Sequence, residues 1–227
     1  MSDDFEAQLA GVGALVEPAR RALFFFVAGQ PEAVGREQAA TACGLPLHTA
    51  KFHLDRLVDE GLLEVEFRRL SGRTGPGAGR TSKLYRRSPR EVSVSLPERR
   101  YDLAGDIFAE AIDRSLRDGV EVGRAVVEVA ESRGRLLAAT SEDVPGGSDI
   151  DRTAALLARH GYQPRGGDGA VCLANCPFDR LAREHTELVC SMNLSLVGGV
   201  LAGLGCDSLE AVLEPEEGLC CVKARPR

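Results

Sequence analysis

Residues 35–90 constrain this chain more than any other stretch. Residues 36–44 carry a short helical pattern closed by Gly44, and a second helical pattern follows over 47–61. In that second pattern Leu47, Ala50, Leu54, Leu57 and Val58 recur at helical spacing, so one face is predicted to be core. The other face carries His48, Thr49, Lys51, Phe52, Asp55 and Arg56. Residues 62–68 then alternate as a strand does, 71–80 form a glycine-rich tip, and 81–86 read as the returning strand. Two short helices joined by a glycine-containing turn and followed by a basic hairpin predict a winged helix-turn-helix. Such a unit reads DNA with the outward, N-terminal part of its second helix. His48, Thr49, Lys51, Phe52 and Arg56 are therefore the candidate base- and groove-facing residues.

Charge placement supports the same expectation. The whole chain of 227 residues has a formal charge of −6, yet residues 1–100 hold 15 basic side chains against 13 acidic ones. Between residues 68 and 90 stand Arg68, Arg69, Arg73, Arg80, Lys83, Arg86, Arg87 and Arg90, with no acidic residue among them. Alone, such a run is equally well a solvated loop. Directly behind a helix-turn-helix pattern it reads as phosphate-contacting surface, with Arg68, Arg69, Arg73, Arg80 and Lys83 as the candidates.

The length suits two domains, and we place them at 1–97 and 98–227. Ahead of the helix-turn-helix, residues 5–29 look helical, with Pro18 near the start of the second half. Pro89 and Pro97 bracket a linker. Beyond it, amphipathic stripes at 101–117 and 120–139 predict two helices, serving either as dimerisation elements or as the core of their own domain. The stripes include Ile107, Ile112, Val122, Val126 and Leu136. A helix over 149–160, a hairpin over 162–176, a helix from Pro177 to about His185, a helix from Thr186 to Gly205 and a last hairpin over 209–224 complete the reading. Residues 188–205 lack charge but contain four glycines, two serines and Asn193, which points to a buried or subunit-contact helix rather than a membrane span. The fold class is α+β: the winged helix-turn-helix domain, then an α/β cysteine-containing domain with small hairpins. The acidic N-terminus without an apolar segment implies no signal peptide, and hence a cytoplasmic protein.

There are seven cysteines, and all but Cys43 lie between Val171 and Val222. In a chain without an export signal this argues against a disulfide scaffold and for metal or redox chemistry. Cys172, Cys176, Cys190 and Cys220 come from three elements able to converge. Cys176 precedes Pro177 at a predicted helix start, where the helix dipole favours a thiolate, and Cys190 sits early in the next helix. Strand alternation turns Cys220 inward with Val222. On a straight strand, however, Cys172 and Cys176 stand about 13 Å apart, too far for one cluster unless the strand bends near Asn175. Cys221 and His185 are the reserve fourth ligands. Cys43 and Cys206 read as small buried hydrophobes. With four scattered histidines and no phosphate-cradling glycine loop after a strand, no enzyme activity is expected.

Residues 51–63, the 71–80 tip with Lys83-Leu84-Tyr85-Arg86, and Cys172-Leu173-Ala174-Asn175-Cys176-Pro177-Phe178 with Leu188-Val189-Cys190 resemble two-domain winged-helix regulators of the ArsR/DeoR-like type, including SufR-type iron–sulfur repressors. Cys220 occupies the late-cysteine position of that pattern, whereas Leu173-Ala174-Asn175 and the vicinal Cys220-Cys221 depart from it. The resemblance implies a homodimeric repressor that binds a palindromic double-stranded operator. It further implies an iron–sulfur cluster, 4Fe–4S in type, held by Cys172, Cys176, Cys190 and Cys220, with zinc as the alternative. A second class of function is a regulator with a small-molecule effector pocket and structural or zinc-binding cysteines. A third is a protein-interaction module that binds no DNA.

Overall fold

The computed structural model describes residues 3–69, 81–141, 146–167 and 169–227. The chain divides into two compact units, Asp3–Val94 and Ser95–Arg227.

In the first unit, α1 (Asp3–Ala14) and α2 (Pro18–Ala28) replace the single expected helix over 5–29. Pro18 opens α2, and the Glu17 carboxylate accepts from the N–H groups of Ala19 and Arg20, satisfying donors that the helix itself leaves open. A two-residue strand, β1 (Val34–Gly35), leads into α3 (Arg36–Ala42), which ends at Gly44 in the left-handed region with φ 63°. Then come α4 (Leu47–Asp59), β2 (Leu63–Arg68) and β3 (Ser82–Arg87). The strands form one antiparallel sheet ordered β1-β3-β2, with Val65 and Val34 both paired to Tyr85. The core gathers Leu23 and Val27 of α2, Ala39 and Ala40 of α3, Ala50, Leu54 and Leu57 of α4, and Leu63 and Tyr85 of the sheet. Leu47, expected in that core, is 44% exposed, because it is the first residue of α4 and projects beyond the packed turns.

In the second unit, α5 (Tyr101–Asp118), α6 (Val122–Thr140) and α7 (Asp149–Ala158) precede β4 (Pro164–Gly167) and β5 (Ala170–Leu173). They are followed by α8 (Asp179–Glu184), α9 (Thr186–Leu204), β6 (Leu209–Leu213) and β7 (Val222–Pro226). Glu121 caps α6, and a Ser148–Asp151 capping box starts α7. The two hairpins are one four-stranded antiparallel sheet, ordered β4-β5-β7-β6 and joined where Val171 pairs with Ala224. Helices α6 and α9 form the centre of the unit. Their backbones approach so closely that a Cβ on Gly134 would overlap the Leu196 carbonyl oxygen, and one on Gly199 would overlap that of Glu131. Small residues at a helix crossing permit this approach, and Gly199 and Gly203 stand one turn apart on it. By length and composition α9 could cross a membrane; here it packs against α6 and buries Met192, Leu196, Val197 and Val200. The α5 and α6 stripes do face this core through Leu103, Ile107, Val126 and Val129, but Ile112, Val122 and Leu136 lie outward, Leu136 at 50% exposure.

Candidate functional site

On α4 the buried residues Ala50, Leu54 and Leu57 fix which side chains face out. His48, Lys51, Phe52 and Arg56 are exposed and Thr49 is half-buried; Phe52, 64% exposed, meets the His53 ring edge-on at 5.3 Å. The helix begins at Pro46 with no side-chain cap, so its first N–H groups remain available to an acceptor. Arg56 spends part of its charge on Glu60 at 2.5 Å. His53, on the margin of the buried face, is held by Arg20 and by Glu17 at 3.5 Å.

The hairpin beside α4 is tied to it by Asp55. The carboxylate accepts from Lys83 Nζ at 2.5 Å and from the Tyr85 hydroxyl at 2.8 Å, and the same ammonium lies 5.1 Å from the centre of the Tyr85 ring. Burial pushes the Asp55 carboxyl up, but the hydrogen bonds from Lys83 and Tyr85 and the charges of Lys83 and Lys51 outweigh it and leave the group below the usual carboxylate range. Tyr85 is driven the other way, by burial and by the adjacent Asp55. Lys83 is thus an engaged cation, not a free one. Arg68 is exposed but paired with Glu32 and Glu66, and Arg69 is exposed. Arg73 and Arg80 lie outside the described residues.

Two pairs of cysteines come together, Cys176 with Cys220 and Cys190 with Cys221. The partners in each pair lie within hydrogen-bonding reach, and the charge of Cys220 also acts on Cys190. Cys220 also accepts from Asn193 Nδ2 at 3.4 Å, and the Tyr162 hydroxyl donates to Asn193 Oδ1. These hydrogen bonds and the Val222 N–H pull the Cys220 thiol below its ordinary value against the opposing effect of burial. Cys176 is raised, first by its bond to Cys220 and then by burial. Burial, followed by Cys221, pushes Cys190 up to about 11.

The proximity of the two thiols thus raises Cys176 and lowers Cys220. That corrects the helix-start argument: α8 has Phe178 at its N-cap and spans only Asp179–Glu184, so Cys176 lies outside the position that the dipole favours. Cys172 stands apart, paired across the hairpin with Arg165, half-buried, and within electrostatic reach of Lys223. Alternation turns it away from the face of Val171 and Leu173, which are buried in the core. Cys221 lies beside Cys190. His185 is exposed between α8 and α9. Cys43 and Cys206 are packing residues, each raised by burial.

The donor set suits soft, thiolate-seeking metal or an iron–sulfur cluster in type and number: four cysteines from three segments, with sulfur hydrogen bonds around them. It is not a preassembled cage. Among the described residues no three Cys, His, Asp or Glu side chains are arranged to hold a metal ion. Comparison with family models, with curated proteins and with solved structures returned no match for this chain.

Three contributors escaped the sequence reading. Asp55 showed only as a polar residue on the outer face, while Tyr162 and Asn193 looked like ordinary hairpin and helix residues. Only the uncharged context of Asn193 in α9 signalled that it needs buried partners.

Proposed function

We propose that this protein is a DNA-binding transcriptional regulator, acting as a repressor, whose first unit is a winged helix-turn-helix. In this reading α3 and α4 are the helix-turn-helix, α4 enters the major groove, and β2 and β3 are the wing. The observation that carries it is the pairing of two surfaces on one unit. The exposed polar face of α4, with His48, Lys51, Phe52 and Arg56, is bonded through Asp55 to a hairpin that carries Arg68, Arg69 and Lys83. Phosphate contacts from the hairpin would position the unit, and base-edge contacts from α4 would specify sequence. Homodimerisation follows from the same reading, because two recognition helices reach a palindromic operator only in a two-fold assembly.

The second part of the proposal is that the cysteines regulate this binding. Cys176, Cys190, Cys220 and Cys221 would hold an iron–sulfur cluster, which when bound supplies a redox- and oxygen-sensitive centre in place of four thiols. Asn193, itself held by Tyr162, would tune the Cys220 sulfur by its hydrogen bond. The resemblance to SufR-type repressors supports the cofactor, and the contacts of Cys176 with Cys220 and of Cys190 with Cys221 support the ligand set.

One observation favours a second reading. A cavity of about 740 Å³ in the second unit is lined by Val126, Val127, Leu188, Arg124, His185 and Glu187. Its size is that of a small-molecule pocket with a few polar anchors. There the effector would be an apolar compound, and the cysteines would be structural or hold zinc.

The test of the DNA-reading proposal is selection from a pool of random-sequence duplexes by the full-length protein. Enrichment of paired half-sites, separated by about one helical turn, is the expected result. A pool that stays random at low salt would contradict the proposal.

A further inference from the structure

Asn175 stands immediately before Cys176 and is 6% exposed, yet its amide is fully engaged. Its Nδ2 donates to the Glu98 carbonyl at 3.0 Å and to the Gly161 carbonyl at 2.6 Å, and its Oδ1 accepts from Arg99 Nη1. The same Arg99 nitrogen donates to the Cys176 carbonyl at 3.0 Å, and Arg99 Nη2 lies 3.6 Å from Asp179. One residue on, the Arg100 N–H donates to the Pro177 carbonyl at 3.1 Å. Residues 98–100 are therefore bonded, by backbone and side chain, to the turn that contains Cys176.

The position of residues 98–100 in the chain gives these bonds a consequence. Val94 is the last residue of the first unit and Ser95 the first of the second. Ser95 Oγ accepts from the Arg99 N–H at 2.8 Å, so the start of the second unit is organised around Arg99. A displacement of the Cys176 carbonyl must either carry Arg99 with it or break a charge-assisted bond in a largely buried place.

We propose that Asn175 and Arg99 form a latch that transmits the state of the Cys176 turn to the segment joining the two units. Both act as positioning residues and bind neither metal nor DNA. The latch rests on the reading that the cysteine group controls DNA binding, and it names the route. In this latch the hydrogen bonds of Asn175 and Arg99 form one contiguous set, whose release is the second arrangement that such coupling requires. The tie also accounts for a buried amide at position 175: an apolar residue there would remove the donors that Asn175 gives to the Glu98 and Gly161 carbonyls.

The experiment uses the full chain, anaerobically reconstituted with iron and sulfide or stripped of metal by a chelator. Amide hydrogen exchange over residues 95–101 is measured in both forms, together with affinity for a duplex that the protein selects. In the wild type, loading changes exchange at 98–100, and the two forms differ in DNA affinity by the factor of about 5 to 150 usual for coupled sites. Arg99→Met retains the iron content and visible absorbance of the wild type, because every cysteine remains, while both differences collapse. The ratio of affinities falls below about 2, well under the usual coupling range. Arg99→Lys, which keeps a donor for the Cys176 carbonyl, restores part of the response. Should Arg99→Met be insoluble, Asn175→Ser tests the same bonds from the other side.

Wild-type exchange at 98–100 that ignores loading overturns the latch, even if DNA affinity responds. An Arg99→Met protein that keeps the wild-type affinity ratio overturns it as well. Exchange that responds to loading in the wild type and not in Arg99→Met, with DNA affinity indifferent in both, upholds the latch and refutes the regulatory reading.

Discussion

Replacing Asp55 by asparagine tests the proposed DNA-binding surface through the pair that restrains it. Asp55 and Lys83 are both about one-third exposed and 2.5 Å apart, so their attraction belongs to the surface class, worth about 0.2–1 kcal/mol. Lys83 can engage a phosphate only by leaving or sharing that partner. Asparagine keeps an oxygen to accept from the Tyr85 hydroxyl, and so preserves the bond between α4 and β3, but it releases the ammonium. The expected gain in affinity for a short mixed-sequence duplex is about 1.4- to 5-fold, the equivalent of that energy. If Lys83 then neutralises one further phosphate, the slope of log K against log salt concentration steepens by about 0.9. Fluorescence anisotropy across a salt series reads both quantities.

A pH series reads the same pair. The Asp55 carboxyl is held below its unfolded value by its partners, so the stability it contributes is present above the unfolded carboxylate pKa of about 3.9 and is lost as pH falls through the lower folded value. The asparagine variant should lack that part of the acid dependence. Unchanged affinity and slope in a folded Asp55→Asn protein would refute the assignment of Lys83 to phosphate. Weaker binding would instead make Asp55 a prop that sets the hairpin against α4.

Two neighbouring glycines give opposite expectations for the second unit. Gly199→Ala pushes a methyl group into the Glu131 backbone and should cost about 1–3 kcal/mol or more, with a fall of roughly 2–4 °C in Tm per kcal/mol. Gly198→Ala meets open space on the same helix and should stabilise by about 0.5–1 kcal/mol; equal Tm values for the two variants would refute the close crossing of α6 and α9. Among the cysteines, Cys172→Ser should retain iron after anaerobic reconstitution and Cys221→Ser should lose it, as measured by iron analysis and visible absorbance. The reverse result would restore Cys172 to the ligand set.

The α+β character and most of the helices were legible because their signals are local. The periodic Ala50, Leu54 and Leu57 and the glycine at position 44 each fix an element within a few residues. What sequence could not convey depends on distant partners. The pairing of Val171 with Ala224, which makes one sheet of two hairpins, crosses more of the chain than any periodicity can report. The four glycines of residues 188–205 marked α9 as unusual, but only Glu131 and Leu196 reveal that Gly199 and Gly134 are there to let two backbones approach. For the cysteines, the straight-strand argument over residues 170–176 does not apply, because β5 ends at Leu173. The proximity of Cys221 to Cys190 depends on the course of the chain beyond β6, which brings residues 220 and 221 toward α9. Leu47 and Leu136 misled for a common reason: a helix face at correct spacing is buried only where another element covers it.

The account stands or falls on the link between the cysteine group and DNA. The most direct measurement is the affinity of one anaerobic preparation for its selected duplex, taken before and after removal of metal by a chelator, with iron and sulfide determined on the same samples. The account predicts a brown protein with iron and sulfide bound, whose affinity changes by at least about 5-fold when the metal is removed and returns on reconstitution. A protein that carries no iron, or one that binds the duplex equally well in both states, would contradict it.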